Sequence, residues 1–264
     1  MGYTNSSLVN CTVKSPNHSG QRTHAIDTIT PHCVVGQLTA ESIGSCFVSS
    51  SRQASCNYGI GKDGKVVLVV DESNRSWCTS SNSNDQRAVT IECASDTTEP
   101  YAFNDTVYNK LIELCTDICK RNGKTKLIWL GDKTKTANYT PASNEMLLTV
   151  HRWFANKSCP GNWMYSRMGD LAEKVTAKLG GSSSSTATSN KTSSTTTAAT
   201  ATNKSYSVRV TASALNIRKG PGTTYAISGC IKDKGTYTIV QEQNGFGKLK
   251  SGAGWIALKY TQKV

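Results

Sequence analysis

The chain has 264 residues, room for one medium domain and a small one, with a mean hydropathy of −0.40. No apolar run approaches the roughly 18–20 residues of a membrane-spanning helix, so membrane insertion is not expected. The net charge of +12 is uneven: residues 1–180 hold 19 Lys/Arg against 16 Asp/Glu, whereas 181–264 hold 11 against 2. A cationic C-terminal part suits an anionic partner, and on charge alone nucleic acid, anionic lipid and anionic wall polymer all qualify. Spare lysines that keep a surface soluble are the plainer reading.

In chain order, the first ten residues carry neither a basic region nor an apolar core, so no secretory leader is expected. Residues 65–70 (KVVLVV), 88–93 (AVTIEC) and 127–130 (LIWL) are short branched-apolar runs that predict buried strands. Residues 105–121 place Val107, Leu111, Leu114, Cys115 and Ile118 on one helical face, with Asn104 as cap and Asn122-Gly123 as stop. Met168, Leu171, Val175 and Leu179 mark a second amphipathic helix. Strands alternating with helices predict an α/β layered domain over 1–179. Residues 180–204, GGSSSSTATSNKTSSTTTAATATNK, hold nothing apolar larger than Ala and predict a flexible linker. From 205 to 264, short runs such as SVRVT, YTIV and GWIAL between Gly-rich turns predict a small all-β barrel.

The ten cysteines show no framework spacing, and a cytosolic origin keeps them reduced. Cys115 and Cys119 stand at i, i+4 without a second Cys/His pair, which favours helix packing over a metal half-site. There are four histidines, His18, His24, His32 and His151, so a histidine-based site has few possible members. His151, Lys157 and Cys159 fall within nine residues, just before Pro160-Gly161. Imidazole and thiolate are both zinc ligands, and a nearby lysine can stabilise an oxyanion; a surface His and a packed Cys are the plainer reading.

The stretch His151…Lys157-x-Cys159-Pro160 resembles the C-terminal signature of the N-acetylmuramoyl-L-alanine amidase family that includes phage lysins and peptidoglycan recognition proteins. Residues 26–33 (IDTITPHC) resemble that family's first strand, 55–64 (SCNYGIGKDG) its next strand and hairpin turn, and 87–92 (RAVTIE) its central strand. The motifs occur in family order over roughly 20–180. The resemblance implies a central mixed β-sheet flanked by helices and Zn²⁺ held by His32, His151 and Cys159. It also implies Glu92 as general base and acid, Lys157 at the oxyanion, and peptidoglycan as substrate, with no nucleic-acid partner.

Three departures stand out. Cys56 occupies the position where many relatives have a catalytic Tyr, and the neighbouring Tyr58 is expected to face away, which moves the acid/base role to Glu92. Pro31 precedes His32 inside a strand and cannot donate to a ladder, which leaves His24 as a rival ligand. Cys78 stands where many relatives have a His. Trp77, Trp153 and Tyr165 are expected to line a substrate groove or to pack in the core.

Residues 214–222 (ALNIRKGPG) and 254–256 (GWI) resemble bacterial SH3-like domains, which implies wall targeting over 205–264, with Tyr225, Trp255 and Tyr260 as stacking surfaces. Two other functions stay open: a wall thiol peptidase with Cys159 as nucleophile and His151 as base, and a non-catalytic peptidoglycan-recognition protein. By analogy, the enzyme–linker–binder layout without a leader suits a phage or prophage lysin, made in the bacterial cytoplasm and acting at the wall after release.

Overall fold

The structure is a computed structural model that describes residues 2–180 and 205–264, apart from 224, 226 and 244. The linker expected over 180–204 lies, but for Gly180, outside the described residues. The described residues form two compact units, which precede and follow that segment in sequence. Among them, no helix is long and apolar enough to cross a membrane.

The first unit is a mixed α/β layer. Its strands are β1 (Val9–Thr12), β2 (His18–Gln21), β3 (Thr28–Cys33), β4 (Tyr58–Ile60), β5 (Val66–Leu68), β6 (Asn74–Ser76), β7 (Ala88–Cys93), β8 (Lys126–Ile128) and β9 (Glu145–Leu148). Seven of them form one sheet in the order β1-β5-β4-β7-β3-β9-β8, and β2 pairs with β6 apart from it. Only β4–β5 is antiparallel within the seven. The helices are α1 (Ala40–Ser45), α2 (Asn82–Arg87), α3 (Asp105–Arg121), α4 (Lys133–Ala137), α5 (Gly161–Tyr165) and α6 (Met168–Lys178).

Alternation along β7 explains the two faces of the sheet. Val89, Ile91 and Cys93 point toward α3, which packs with α6, while Thr90 and Glu92 point to the face that carries α1 and α2. Helix α3 has the expected bounds. Asn104 Oδ1 caps it by accepting the Val107 N–H at 2.8 Å, and the five predicted apolar positions are all fully buried. Cys115 and Cys119 belong to that packed face, so their i, i+4 spacing is helical packing.

The predicted strands over 65–70 and 127–130 are shorter than expected. Val69 N–H and Val70 N–H both donate to Asn57 O, at 2.9 and 3.3 Å, and this bulge ends β5. Tyr58 stands in regular register against Ile91 of β7, on the side of the sheet that α3 covers. Tyr58 is fully buried with its hydroxyl donating to Glu72 Oε1 at 2.6 Å, and Arg121 of α3 pairs with the same carboxylate at 2.6 Å. Trp129 leaves the 127–130 run to stack on Trp153, centroids 5.0 Å apart and planes 4° from parallel.

Pro31 is tolerated because of where it falls. Ile29 O accepts Thr149 N–H at 3.1 Å, so two residues on Pro31 faces the same side, where pairing with β9 has already ended at Ile29–Leu148. Its missing N–H therefore costs the ladder nothing.

Residues 205–264 form an antiparallel seven-stranded sheet: β10 (Tyr206–Val210), β11 (Leu215–Arg218), β12 (Ile227–Ile231), β13 (Thr236–Gln243), β14 (Phe246–Leu249), β15 (Trp255–Ala257) and β16 (Thr261–Lys263), in the order β12-β11-β15-β14-β13-β10-β16. One core cluster joins Val208, Val210, Leu215, Ile231, Ile239, Phe246 and Leu249 to Trp255, Ile256 and Ala257, so the sheet must curve to bury it. Trp255 is thus core, whereas Tyr225 and Tyr260 are exposed.

Helix α1 lies close on the sheet at Gly59, where an added Cβ would stand 2.6 Å from Ile43 Cγ2 and 2.8 Å from Val67 Cγ1. Gly59→Ala should therefore destabilise the first unit by about 1–3 kcal/mol through overpacking. Denaturant unfolding measures this, and an unchanged midpoint would show that α1 can shift freely.

Candidate metal centre

Parallel pairing of β3 with β7 sets His32 beside Glu92 in direct register, on the face that carries α1 and α2. Beyond β9 the chain stays extended through Val150 and then turns into a short 3-10 segment, His151–Trp153, which brings His151 over the end of β3. The imidazoles of His32 and His151 lie 5.1 Å apart between centroids. Cys159 arrives from the loop before α5. That loop is held by Arg152, whose N–H donates to Cys159 O at 3.2 Å and whose Nη1 donates to Asn162 Oδ1 at 3.0 Å. Gly161 opens α5 with φ +83°, and an added Cβ would stand 2.6 Å from Pro100 O, so the loop can dock only with glycine there.

The structure thus gathers His32, His151 and Cys159, with one donor atom of each within 4.8 Å of the others. Cys159 Sγ is 3.2 Å from His32 Nδ1, and Glu92 Oε1 is 4.0 Å from the same nitrogen. Buried polar atoms nearly always have partners, yet among the described residues His32 Nε2, His151 Nε2 and Glu92 Oε2 find none. Two imidazoles and a thiol that converge with unpaired nitrogens are a donor set that suits a divalent, borderline-soft cation such as zinc.

Electrostatics point the same way. Burial, then His151, holds the His32 imidazole well below its ordinary pKa, and burial, then Lys157, lowers that of His151. Both rings are therefore neutral, with lone pairs free to donate. Burial pushes the Cys159 thiol well up. Burial raises the Glu92 carboxyl to about 7, opposed by the positive charge of Arg52.

A cleft of about 390 Å³ opens onto Glu92, His151 and Lys157, with Arg52, Arg75 and Trp77 on its walls. Trp77 is the expected groove residue that lines it. Trp153 is stacked on Trp129, and Tyr165 lies under the Arg152 guanidinium, 4.7 Å from ring centroid to Cζ. His24, the rival ligand, is exposed with Nδ1 against Ala25 O and takes no part in the cluster. Cys78 was expected only as a lost histidine. Its sulfur in fact lies within 4.8 Å of donor atoms of His32 and Glu92. Arg52, with no motif around it, is a further cleft residue that sequence reasoning missed.

Fold and site together define a hydrolase-like cleft over a candidate metal centre. Residues 22–162 match the family model described as N-acetylmuramoyl-L-alanine amidase, and the chain belongs to that family. Its reaction is hydrolysis of the amide between N-acetylmuramic acid and L-alanine in peptidoglycan. Similar solved structures include PlyL (12% identity, covering 62% of this chain and 94% of that one, TM-score 0.44). Others are the endolysin amidase LysCS from Clostridium intestinale URNW (16%, 66% and 98%, 0.41) and a selenomethionine derivative of AmpD (17%, 65% and 99%, 0.45). No curated protein matches the chain.

Because Arg52 favours the charged form of Glu92, Arg52→Gln should raise the Glu92 pKa above that of the wild type in the metal-free protein. Carbon-13 NMR titration of labelled glutamate reads this directly, and a downward shift would contradict the placement of Arg52.

Proposed function

We propose that the chain is a zinc-dependent N-acetylmuramoyl-L-alanine amidase of the lysin type, in which His32, His151 and Cys159 hold the metal. The observation that carries this reading is the convergence of these three donors beside Glu92, with three buried polar atoms left unpaired. Bound there, Zn²⁺ supplies Lewis acidity to the scissile amide and to the attacking water.

The protein's own residues do the rest. Glu92 is 14% exposed and burial raises its carboxyl to about 7, a range suited to taking a proton from the attacking water and returning it to the L-alanine amine. Lys157 stands at the cleft mouth, where its ammonium balances negative charge on the carbonyl oxygen. Trp77 offers an apolar wall to glycan or peptide, its indole fixed by a 2.7 Å hydrogen bond to Ser19 Oγ. Cys56 is fully buried and takes no proton-transfer role.

The test is product chemistry on purified walls. Digestion should release free amino groups on L-alanine and leave glycan strands intact, and His151→Ala should lose zinc and activity together. New reducing sugars, or new termini inside the stem peptide, would overturn the assignment. Glu92→Gln should keep zinc but lose turnover by about 10²–10⁴-fold. Near-normal turnover in that variant would move the role to another group.

The C-terminal unit is read as an SH3-like wall-binding module. Residues 205–264 hold 9 Lys/Arg against 2 Asp/Glu, and among the described residues none of these cations enters a salt bridge. Uncompensated positive charge on a small β unit attracts an anionic surface. Expressed alone, residues 205–264 should sediment with purified walls and release as salt rises. Failure to sediment would remove the targeting role.

A further inference from the structure

Each candidate imidazole has a threonine two residues upstream, in Thr30-Pro31-His32 and in Thr149-Val150-His151. The structure joins the two threonines, with Thr30 Oγ1 and Thr149 Oγ1 2.7 Å apart. Asn84 of α2 closes a ring on them. Its Nδ2 donates to Thr30 Oγ1 at 3.2 Å, and its Oδ1 accepts from Thr149 Oγ1 at 2.9 Å. A hydroxyl has one proton to give, so Thr149 spends its own on Asn84 and Thr30 must donate to Thr149. The ring is therefore directional, with every member satisfied. It is buried as well: Thr30 is 0%, Thr149 6% and Asn84 7% exposed.

Stability alone does not explain such a ring. Two valines would bury as well at positions 30 and 149, and replacing both partners of a buried hydrogen bond by apolar groups is close to neutral. What valines could not do is fix a distance. Backbone pairing of β3 with β9 stops at Ile29–Leu148, with Thr149 N–H to Ile29 O as the final bond. Beyond it, among the described residues, the hydroxyl pair is the next hydrogen bond between the two segments before they reach the imidazoles. A strand rises about 3.3 Å per residue, so this link sits one side-chain repeat from both rings on the same face. Asn84 also ties the ring to the cleft wall. Its Nδ2 reaches Thr79 Oγ1 at 3.4 Å, and that hydroxyl donates to Asp85 Oδ1 at 2.6 Å.

We infer that Thr30, Thr149 and Asn84 are positioning residues that set the spacing of His32 and His151 for a divalent cation. The inference rests on the reading of His32, His151 and Cys159 as metal ligands.

The experiment uses the full chain. Zinc affinity is measured by chelator competition, the Co²⁺ derivative by visible absorption, and the metal-free protein by thermal melting. Thr149→Val should bind zinc about 10–100-fold more weakly, as loss of support behind a ligand typically does. It should also shift the Co²⁺ spectrum, while the metal-free protein melts somewhat lower because Asn84 Oδ1 and the Thr30 hydroxyl lose their partner, and Thr149→Ser should restore both metal readouts. Wild-type zinc affinity and an unchanged Co²⁺ spectrum in Thr149→Val would overturn the inference, as would a lowered melting temperature with affinity intact. Should Thr149→Val fail to fold, Thr30→Val breaks the same hydroxyl pair from the β3 side and decides in the same way. His151→Ala is the control for the underlying reading. If it retains zinc, the metal assignment itself fails; if it loses zinc while the threonine variants do not, only the positioning role falls.

Discussion

The cleft depends first on the parallel register of β3 against β7. Direct opposition of His32 and Glu92 puts a metal-type donor and a carboxylate side by side, on strands paired with each other from Thr28–Ala88 to Cys33–Cys93. Period-two alternation then assigns every other residue of these strands: Ile91 and Cys93 feed the core under α3, while Thr30, Thr90 and Glu92 build a polar face opposite. A slip of one residue would exchange the two sets and bury the carboxylate against α3. The desolvation that lifts Glu92 to about 7 is a product of this pairing, since the carboxylate sits in the middle of a sheet.

On that polar face, α2 does more than its six residues suggest. Its Asp85 carboxylate accepts Cys78 N–H at 3.0 Å, Thr79 N–H at 3.1 Å and the Thr79 hydroxyl, and so holds the loop that carries Trp77 and Cys78 along the cleft. Arg22 braces the same helix from behind. Its guanidinium donates to Asp85 O, to Glu72 O at 2.6 Å and to Asn57 Oδ1 at 3.0 Å, while burial lowers its pKa to about 10. Asn57 in turn bridges β4, β7 and the chain after β5, so the cleft wall is anchored in the sheet's central hydrogen bonding.

Much of this was legible in the sequence wherever a local rule applied. Helix α3 follows from a 3.6-residue apolar period between Asn104 and Asn122-Gly123. Strand β7 follows from an apolar run with a single acidic residue. His32, His151, Cys159, Glu92 and Lys157 came from the resemblance to the amidase family's motifs, and the structure brings the first three together beside Glu92, with Lys157 on the same cleft. What stayed hidden depends on contacts distant in sequence. Stacking of Trp153 on Trp129 removes it from the cleft, and nothing near either residue announces the pair. The bulge that ends β5, where Val69 and Val70 share the Asn57 carbonyl, is made of backbone bonds that no side-chain pattern reveals. Cys78 and Arg52 reach the site through loop paths, where periodicity has no purchase.

Asn84 and Asp85 are neighbours on one helical turn, yet one holds the threonines behind the histidines and the other holds the cleft wall. Displacement of either attachment must pull on the second through a helix too short to bend. A substitution that shifts α2 therefore disturbs the donor cluster and the cleft wall together.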